Sequence, residues 1–167
     1  QITLKHYDRI YFTLTVTYVK GKNDMVLLNV DKYRYYDPLF ESVRIALNNL
    51  GEIYTPEYIQ GISGAAFKIA GGCPSCPTSV YDKWPSKIIK FLGYEVAYYP
   101  CYDKAGNDIT DRMIEAVKKS IDNGKPAIVW NAFSAAEYDV VCGYDIEARQ
   151  FIGRSVLRGN DDYAREP

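Results

Sequence analysis

Charge imbalance and long apolar runs are both missing from this sequence. Its 20 basic side chains nearly balance 21 acidic ones, for a net charge of -1, so no nucleic-acid-binding surface is indicated. No apolar run approaches the roughly 18 residues that a membrane helix needs, and no charged segment followed by an apolar one opens the chain as a secretion signal would. These absences predict a soluble, cytoplasmic protein that binds neither nucleic acid nor membrane.

Histidine is scarce and cysteine is infrequent. His6 is the one histidine of the chain; a lone histidine is more often structural than catalytic, and no nucleophile lies near it in the sequence. The four cysteines are Cys73, Cys76, Cys101 and Cys142. Because no secretion signal is present, we expect free thiols rather than disulfides.

The amino-terminal segment differs from the rest in its pattern. Residues 10–18 alternate between apolar and polar or aromatic side chains, and after a turn a second apolar run spans Met25–Val30. This pattern predicts a β-hairpin extension over residues 1–32, followed by the main domain over residues 33–167. Gln1 stands inside a strand-like pattern, which is compatible with a piece of a longer protein.

Helix signals dominate the first half of the main domain. Asp37 and Pro38 form a helix start, because an aspartate side chain accepts backbone N–H groups and proline at the first helical position sacrifices no hydrogen bond. Thr55 marks a second start, and further helices are predicted over residues 85–92 and 110–123. The predicted strands are Tyr94–Tyr98, Pro126–Asn131, Tyr138–Gly143 and Gln150–Arg154. Helices first and strands later predict an α+β fold with an antiparallel sheet.

The order of these elements resembles the papain-like cysteine peptidase fold. The resemblance rests on the leading helix DPLFESVRIALNNLGE, the segment IQGISGAAFKI, the helix end SIDNGKP with the strand AIVWN, and the run EYDVVCGYD followed by QFIGRS. It covers residues 37–155, and the nearest groups are bacteriocin-leader-processing peptidases and the amino-terminal domain of butirosin-type acyltransferases. The resemblance implies helices packed on an antiparallel sheet, with a groove between the leading helix and that sheet.

The positions that carry catalysis in that family hold other residues here. The resemblance places its cysteine in the first turn of the leading helix, where the helix N-terminus stabilises a thiolate; this sequence has Pro38 or Ser42 there. It places the histidine at the start of the strand that ends in GYD, at Glu137 or Tyr138. Without a thiol and an imidazole to prepare it, peptidase chemistry is not expected. Ser42, with Glu137 or Asp139 across the site, is a weak candidate nucleophile.

Cys73 and Cys76 stand in a C-x-x-C motif that allows a different chemistry. Such a pair serves thiol redox reactions at a helix N-terminus, or binds zinc when further thiolates complete a tetrahedron. Cys101 and Cys142 are single residues on separate elements, so a four-cysteine zinc site is one alternative and a plain pair of neighbouring thiols is the other. No other cofactor is expected.

We therefore expect a groove that binds a ligand without cleaving it. By the resemblance, its lining residues are Asp37, Glu41, Ser42, Trp130, Asn131, Glu137, Tyr138 and Asp139. Aromatic walls with a few acidic groups suit a small polar or cationic ligand, or an extended peptide. The hypothesis is a degenerate, non-catalytic papain-like domain. The alternatives are an amide hydrolase or acyltransferase of the same fold with a displaced nucleophile, and a thiol redox or zinc-binding module built on Cys73 and Cys76.

Overall fold

The computed structural model describes residues 25–34, 37–64, 85–135, 137–158 and 163–166. In these ranges the helices are Pro38–Asn49 (α1), Pro56–Ile62 (α2), Pro85–Phe91 (α3) and Thr110–Asp122 (α4), with a short 3-10 turn at Val156–Arg158. The strands are Met25–Leu27 (β1), Ala127–Trp130 (β2), Tyr138–Asp145 (β3), Gln150–Arg154 (β4) and Ala164–Glu166 (β5). None of the described helices is long and apolar enough to cross a membrane. The predicted α+β class is confirmed.

All five described strands belong to one antiparallel sheet with β3 at its centre. Along one edge, β3 pairs with β4, which pairs in turn with β5. Along the other edge, β2 and β1 each pair with a different part of β3. The predicted association of the three carboxy-terminal strands is therefore confirmed. β1 comes from the end of the predicted extension, yet it shares this sheet. The hairpin and the division at residue 32 stay predictions, because residues 1–24 lie outside the described ranges.

Helix α1 begins where the sequence predicts, and for the predicted reason. Asp37 is its N-cap, and the Oδ1 atom accepts hydrogen bonds from the backbone N–H groups of Leu39 at 3.0 Å and Phe40 at 3.4 Å. Pro38 occupies the first helical position, where no hydrogen-bond donor is needed. The chain leaves the helix at Gly51, whose φ of 88° lies in the left-handed region that glycine tolerates best.

Two apolar clusters hold the helices to the sheet, and α1 contributes to both. One cluster joins α1, α2 and α3 to the first residue of β3; its buried members are Leu39, Phe40, Val43, Leu47, Ile59, Ile88 and Tyr138. The other cluster joins α4 and the segment after β1 to the middle of β3; its buried members are Leu28, Val30, Tyr33, Ile45, Val117, Ile121, Val140, Val141, Cys142 and Tyr144. Because α1 packs between the clusters, most of its surface is removed from water.

The predicted strand at Tyr94–Tyr98 is wrong. Residues 94–100 have an irregular backbone, and the side chain of Tyr98 is 71% exposed. A strand needs a neighbour that takes up its backbone hydrogen bonds. In the described part of the chain no strand of the sheet pairs with this segment; the bridge nearest to it joins Tyr102 to Asp108.

Close packing at Gly153 gives a first testable prediction. A Cβ atom at this position would clash with the backbone carbonyl oxygen of Val140 and with the ring of Phe133. Overfilling a packed site costs about 1–3 kcal/mol, and because one obstacle is backbone, we expect Gly153→Ala to lower the free energy of unfolding in urea by about 3 kcal/mol. The control is Gly61→Ala in α2, where no described atom lies within 4 Å and where alanine stabilises a helix by up to about 1 kcal/mol. Equal stability of the two variants would contradict the packing at β4.

Candidate functional site

Ser42 lies in the interior, in a compact group of polar atoms that joins α1 to β3. Its side chain is fully buried. The Ser42 Oγ atom lies 2.7 Å from the hydroxyl of Tyr33 and 3.1 Å from the backbone carbonyl oxygen of Tyr138, and the Tyr33 hydroxyl lies 2.8 Å from the same carbonyl. Each hydroxyl has one proton, so one donates to the carbonyl and the other donates to its neighbouring hydroxyl. We call this group the hydroxyl triangle. It satisfies polar atoms that burial would otherwise leave unpaired.

The hydroxyl triangle contains no base that would activate Ser42. Burial raises the pKa of Tyr33 far above the ordinary value for tyrosine, and the negative charges of Asp139 and Glu41 raise it further, while the hydrogen bond from Ser42 acts in the opposite direction. Tyr33 is therefore protonated across the physiological range. The recorded hydrogen bonds of Ser42 go to Tyr33 and to a backbone carbonyl. The expected pairing of Ser42 with Glu137 or Asp139 is not among these contacts.

Glu41 is buried in an ion-pair network, away from solvent. Arg44 binds both carboxylate oxygens of Glu41, with Nε to Oε2 at 2.9 Å and Nη2 to Oε1 at 2.6 Å. The same guanidinium donates to Asp31 at 2.6 Å and to the backbone carbonyl of Lys32 at 2.6 Å. Such two-point arginine–carboxylate contacts are the strong form of a charged hydrogen bond. The network fixes the segment that carries Tyr33 against α1.

Asp139 organises the loop between β2 and β3. Its Oδ2 atom accepts the backbone N–H groups of Phe133 at 2.8 Å and Ser134 at 3.0 Å, and the Ser134 hydroxyl donates to the same carboxylate at 2.9 Å. The loop begins at Asn131, which has a left-handed φ of 61° and whose N–H donates to the carbonyl of Glu137 at 2.8 Å. Asp139 is fully buried, so its carboxylate positions this loop from inside the protein.

Four of the expected groove residues lie between the start of α1 and the start of β3, and of these Asp37 and Tyr138 are buried. Trp130 is 47% exposed, and its ring packs edge-on against Tyr138 with centroids 4.7 Å apart. The pKa of Asp37 is raised to about 6, chiefly by burial and in smaller part by the negative charge of Glu137, while the backbone hydrogen bonds at the N-cap act in the opposite direction. Glu137 is half-buried. We call Asp37, Trp130, Glu137 and Tyr138 the mouth.

The cysteines form no site in the described part of the chain. Cys142 lies fully buried in the apolar cluster on β3, where burial raises the pKa of its thiol to about 12. Cys101 is a half-buried free thiol. Cys73 and Cys76 lie outside the described ranges, so the redox and zinc alternatives built on them stay predictions. Among the residues that the structure describes, no three His, Cys, Asp or Glu side chains are grouped to hold a metal ion.

Sequence reasoning missed two tyrosines. Tyr33 completes the hydroxyl triangle. The pKa of Tyr138 is raised to about 12, first by burial and next by Tyr98. No sequence signal identified either tyrosine, because both act on a distant part of the chain. The ion pair of Glu41 with Arg44 did have a local signal, since side chains three residues apart on a helix are neighbours.

One curated protein shows similarity to this chain. It is the uncharacterized metallophosphoesterase YunD of Bacillus subtilis (strain 168), with 29% identity over 119 residues. The matched stretch makes up 70% of this chain and 25% of that protein, so the chain spans about a quarter of the length of that relative. No protein-family model matches the chain. No solved structure matches it either.

The buried ion-pair network gives a second prediction. Glu41→Gln leaves Arg44 buried with one carboxylate partner instead of two, and breaking a buried pair costs about 3–5 kcal/mol. We expect a loss of about 3 kcal/mol in the free energy of unfolding, because Asp31 still pairs with Arg44. Glu115→Gln is the matched control: its partner Lys118 lies 3.3 Å away on the surface, where such pairs contribute less than about 1 kcal/mol. A loss no larger than that of the control would contradict the network.

Asp37 gives a third prediction, which concerns pH. The pKa of Asp37 rises from about 3.9 in an unfolded chain to about 6 in the folded protein. The folded state therefore holds the proton more tightly, so this group stabilises the fold below about pH 4 and that contribution is lost as the pH rises to about 6. Asn is an equally good N-cap without the charge. We expect Asp37→Asn to match the natural protein near pH 4 and to exceed its unfolding free energy by on the order of 1 kcal/mol at pH 7.5.

Urea titrations of both proteins from pH 4 to pH 7.5 measure this difference. Glu137→Gln supplies the second arm, because removing that charge is expected to lower the pKa of Asp37 and shift the transition toward acid. If the stability advantage of Asp37→Asn over the natural protein were larger at pH 4 than at pH 7.5, the raised pKa of Asp37 would be contradicted.

Proposed function

We propose that this chain is a papain-like domain without the cysteine–histidine pair, and that it binds a small polar ligand or a peptide at the mouth without cleaving it. The observation that supports the proposal is the burial and hydrogen bonding of Ser42. At the start of α1, where a papain-like peptidase keeps its nucleophile, the Ser42 hydroxyl is fully buried and committed to the hydroxyl triangle. Nucleophilic catalysis needs a reachable nucleophile with a base in hydrogen-bond contact.

The mouth supports a binding role by its composition. It presents a partly exposed indole and the half-buried carboxylate of Glu137 between α1 and β3, with the buried carboxylate of Asp37 near Glu137. An indole face offers a large contact area to a ligand at low entropic cost, and carboxylates accept hydrogen bonds from polar or cationic groups. The loop that follows Trp130 and carries Glu137 is held by Asp139, so this part of the site is pre-formed, as ligand sites usually are.

The similarity to the Bacillus subtilis protein would suggest that this chain has metal-dependent phosphoesterase activity. Such chemistry needs several metal ligands that converge on one point. The described residues do not fit this requirement, since they contain no group of three or more candidate ligands. His6, the one histidine, lies outside the described ranges. We therefore derive no phosphoester step for this chain.

A fourth prediction tests the absence of catalysis. Purified protein is incubated with casein and with a set of capped peptides, and we expect hydrolysis at the background rate of buffer. Ser42→Ala should leave that rate unchanged, while it lowers the free energy of unfolding by about 1 kcal/mol because a buried hydrogen bond is lost. Turnover in the natural protein that disappears in Ser42→Ala at a temperature where both are folded would contradict the proposal.

Binding is measured on the same protein through Trp130. The chain has two tryptophans, so Trp84→Phe leaves Trp130 as the single fluorophore, and Trp130→Phe is the matched control. We expect saturable changes in the emission of the Trp84→Phe variant when peptides are added, and no saturable change in the control. The absence of any saturable change across peptides of varied sequence would refute a binding role for the mouth.

A further inference from the structure

A surface depression lies where the irregular segment before Cys101 meets the start of α4. Its volume is about 280 Å³. Ligand pockets commonly measure about 300–1,000 Å³, so this depression has room for about one ring with one substituent. None of its lining residues belongs to the mouth. The lining includes three tyrosines and three charged residues, namely Tyr98, Tyr99, Tyr102, Asp103, Lys104 and Arg112.

The three tyrosines of the depression are open to solvent. Tyr98 is 71% exposed, Tyr102 is 61% exposed and Tyr99 is 45% exposed. Exposed aromatic rings that gather in one place mark an interaction site more often than scattered ones do. A tyrosine ring can stack on another ring, and its hydroxyl can donate a hydrogen bond to an anion. These walls therefore suit a flat aromatic ligand.

The backbone around the depression is fixed by hydrogen bonds. The N–H of Ile109 donates to the carbonyl of Cys101 at 2.7 Å, and Tyr102 forms a β-bridge with Asp108, so the turn that carries Lys104 is closed at its base. Arg112 lies in the first turn of α4. Both cations are thus attached to an ordered backbone, which reduces the entropy that is lost when a ligand binds.

The acid in the lining is committed to its own turn. The Oδ1 atom of Asp103 accepts the backbone N–H groups of Ala105 at 2.8 Å and Asn107 at 2.9 Å, and the Oδ2 atom accepts the side-chain amide of Asn107 at 2.8 Å. Three donors therefore already stabilise its negative charge.

The two cations of the lining differ from Asp103 in this respect. In the described part of the chain, the ion pairs involve neither Lys104 nor Arg112. Two cations against one acid leave the lining with an excess of positive charge. Because Lys104 and Arg112 can form charged hydrogen bonds with a carboxylate or a phosphate, the depression favours a ligand with a negative group.

We propose that this depression is a binding site for a small aromatic anion, a single ring that carries one carboxylate or phosphate group. The ring lies against the exposed tyrosines, and the anionic group lies between Lys104 and Arg112. The inference does not depend on the function proposed for the mouth, since the two sites share no residue.

Five small molecules test the inference on the unmodified protein. Phenylphosphonate and benzoate carry the ring and an anion, and neither is cleaved by hydrolysis under mild conditions. Methylphosphonate has the anion without the ring, benzyl alcohol has the ring without the charge, and benzylamine has the ring with the opposite charge. Affinities are measured by titration in ¹H–¹⁵N NMR spectra, in which the amide signals of residues 98–112 also locate the site.

We expect phenylphosphonate or benzoate to bind at least about fivefold more tightly than benzyl alcohol, methylphosphonate and benzylamine. The largest signal shifts should fall within residues 98–112, and added salt should weaken the binding because the cations are exposed. Arg112→Gln and Tyr102→Ala should each lower the affinity several-fold. Lys119→Gln, an exposed cation on the same helix, and Tyr58→Ala, an exposed tyrosine of α2, are the matched controls and should leave the affinity unchanged.

Three outcomes would overturn the inference. The first is binding of benzyl alcohol or benzylamine as tight as that of both aromatic anions, because charge would then have no effect. The second is binding of methylphosphonate as tight as that of phenylphosphonate, because the tyrosines would then add nothing. The third is an affinity for the aromatic anions that neither Arg112→Gln nor Tyr102→Ala lowers, which would show an adventitious site elsewhere.

Discussion

The attachment of the first turn of α1 to the first residue of β3 is the constraint on which the rest of the structure depends. Tyr33 and Ser42 both reach the carbonyl oxygen of Tyr138, so a segment before α1, the helix and the sheet are tied at one point. This contact replaces water at three buried polar atoms, and an unpaired buried polar group costs about 1–3 kcal/mol. The same contact also fixes the position of the mouth, because Tyr138 belongs to both. The hydroxyl triangle is thus a structural joint between α1 and β3.

The electrostatics of this joint follow from the same geometry. A helix N-terminus favours negative charge, and here an aspartate N-cap occupies it. Asp37 is partly stripped of water and close to Glu137, so the two carboxylates raise the cost of each other's charge. The buried Glu41, by contrast, is neutralised by Arg44 and stays inside.

The sequence predicted what local chemistry decides. Asp37 and Pro38 predict a helix start from capping alone, and the apolar runs of β3 and β4 predict buried strands. These elements lie within a few residues of their predicted bounds. The direction of a side chain depends on the elements around it. The resemblance placed Glu41 and Asp139 in the lining of a groove, yet both are fully buried and hydrogen-bonded to partners inside the protein. Tyr94–Tyr98 shows the reverse case, a strand-like pattern with no strand beside it among the residues that the structure describes.

The central claim is that Ser42 is a structural hydroxyl and that the site at the start of α1 does not catalyse. Labelling with a fluorophosphonate, which reacts with activated serines, tests this most directly, with the modified residue found by mass spectrometry of the folded protein. The account predicts no adduct at Ser42, because its oxygen is buried and no base lies in contact with it. A stoichiometric adduct at Ser42 in the folded protein would contradict it.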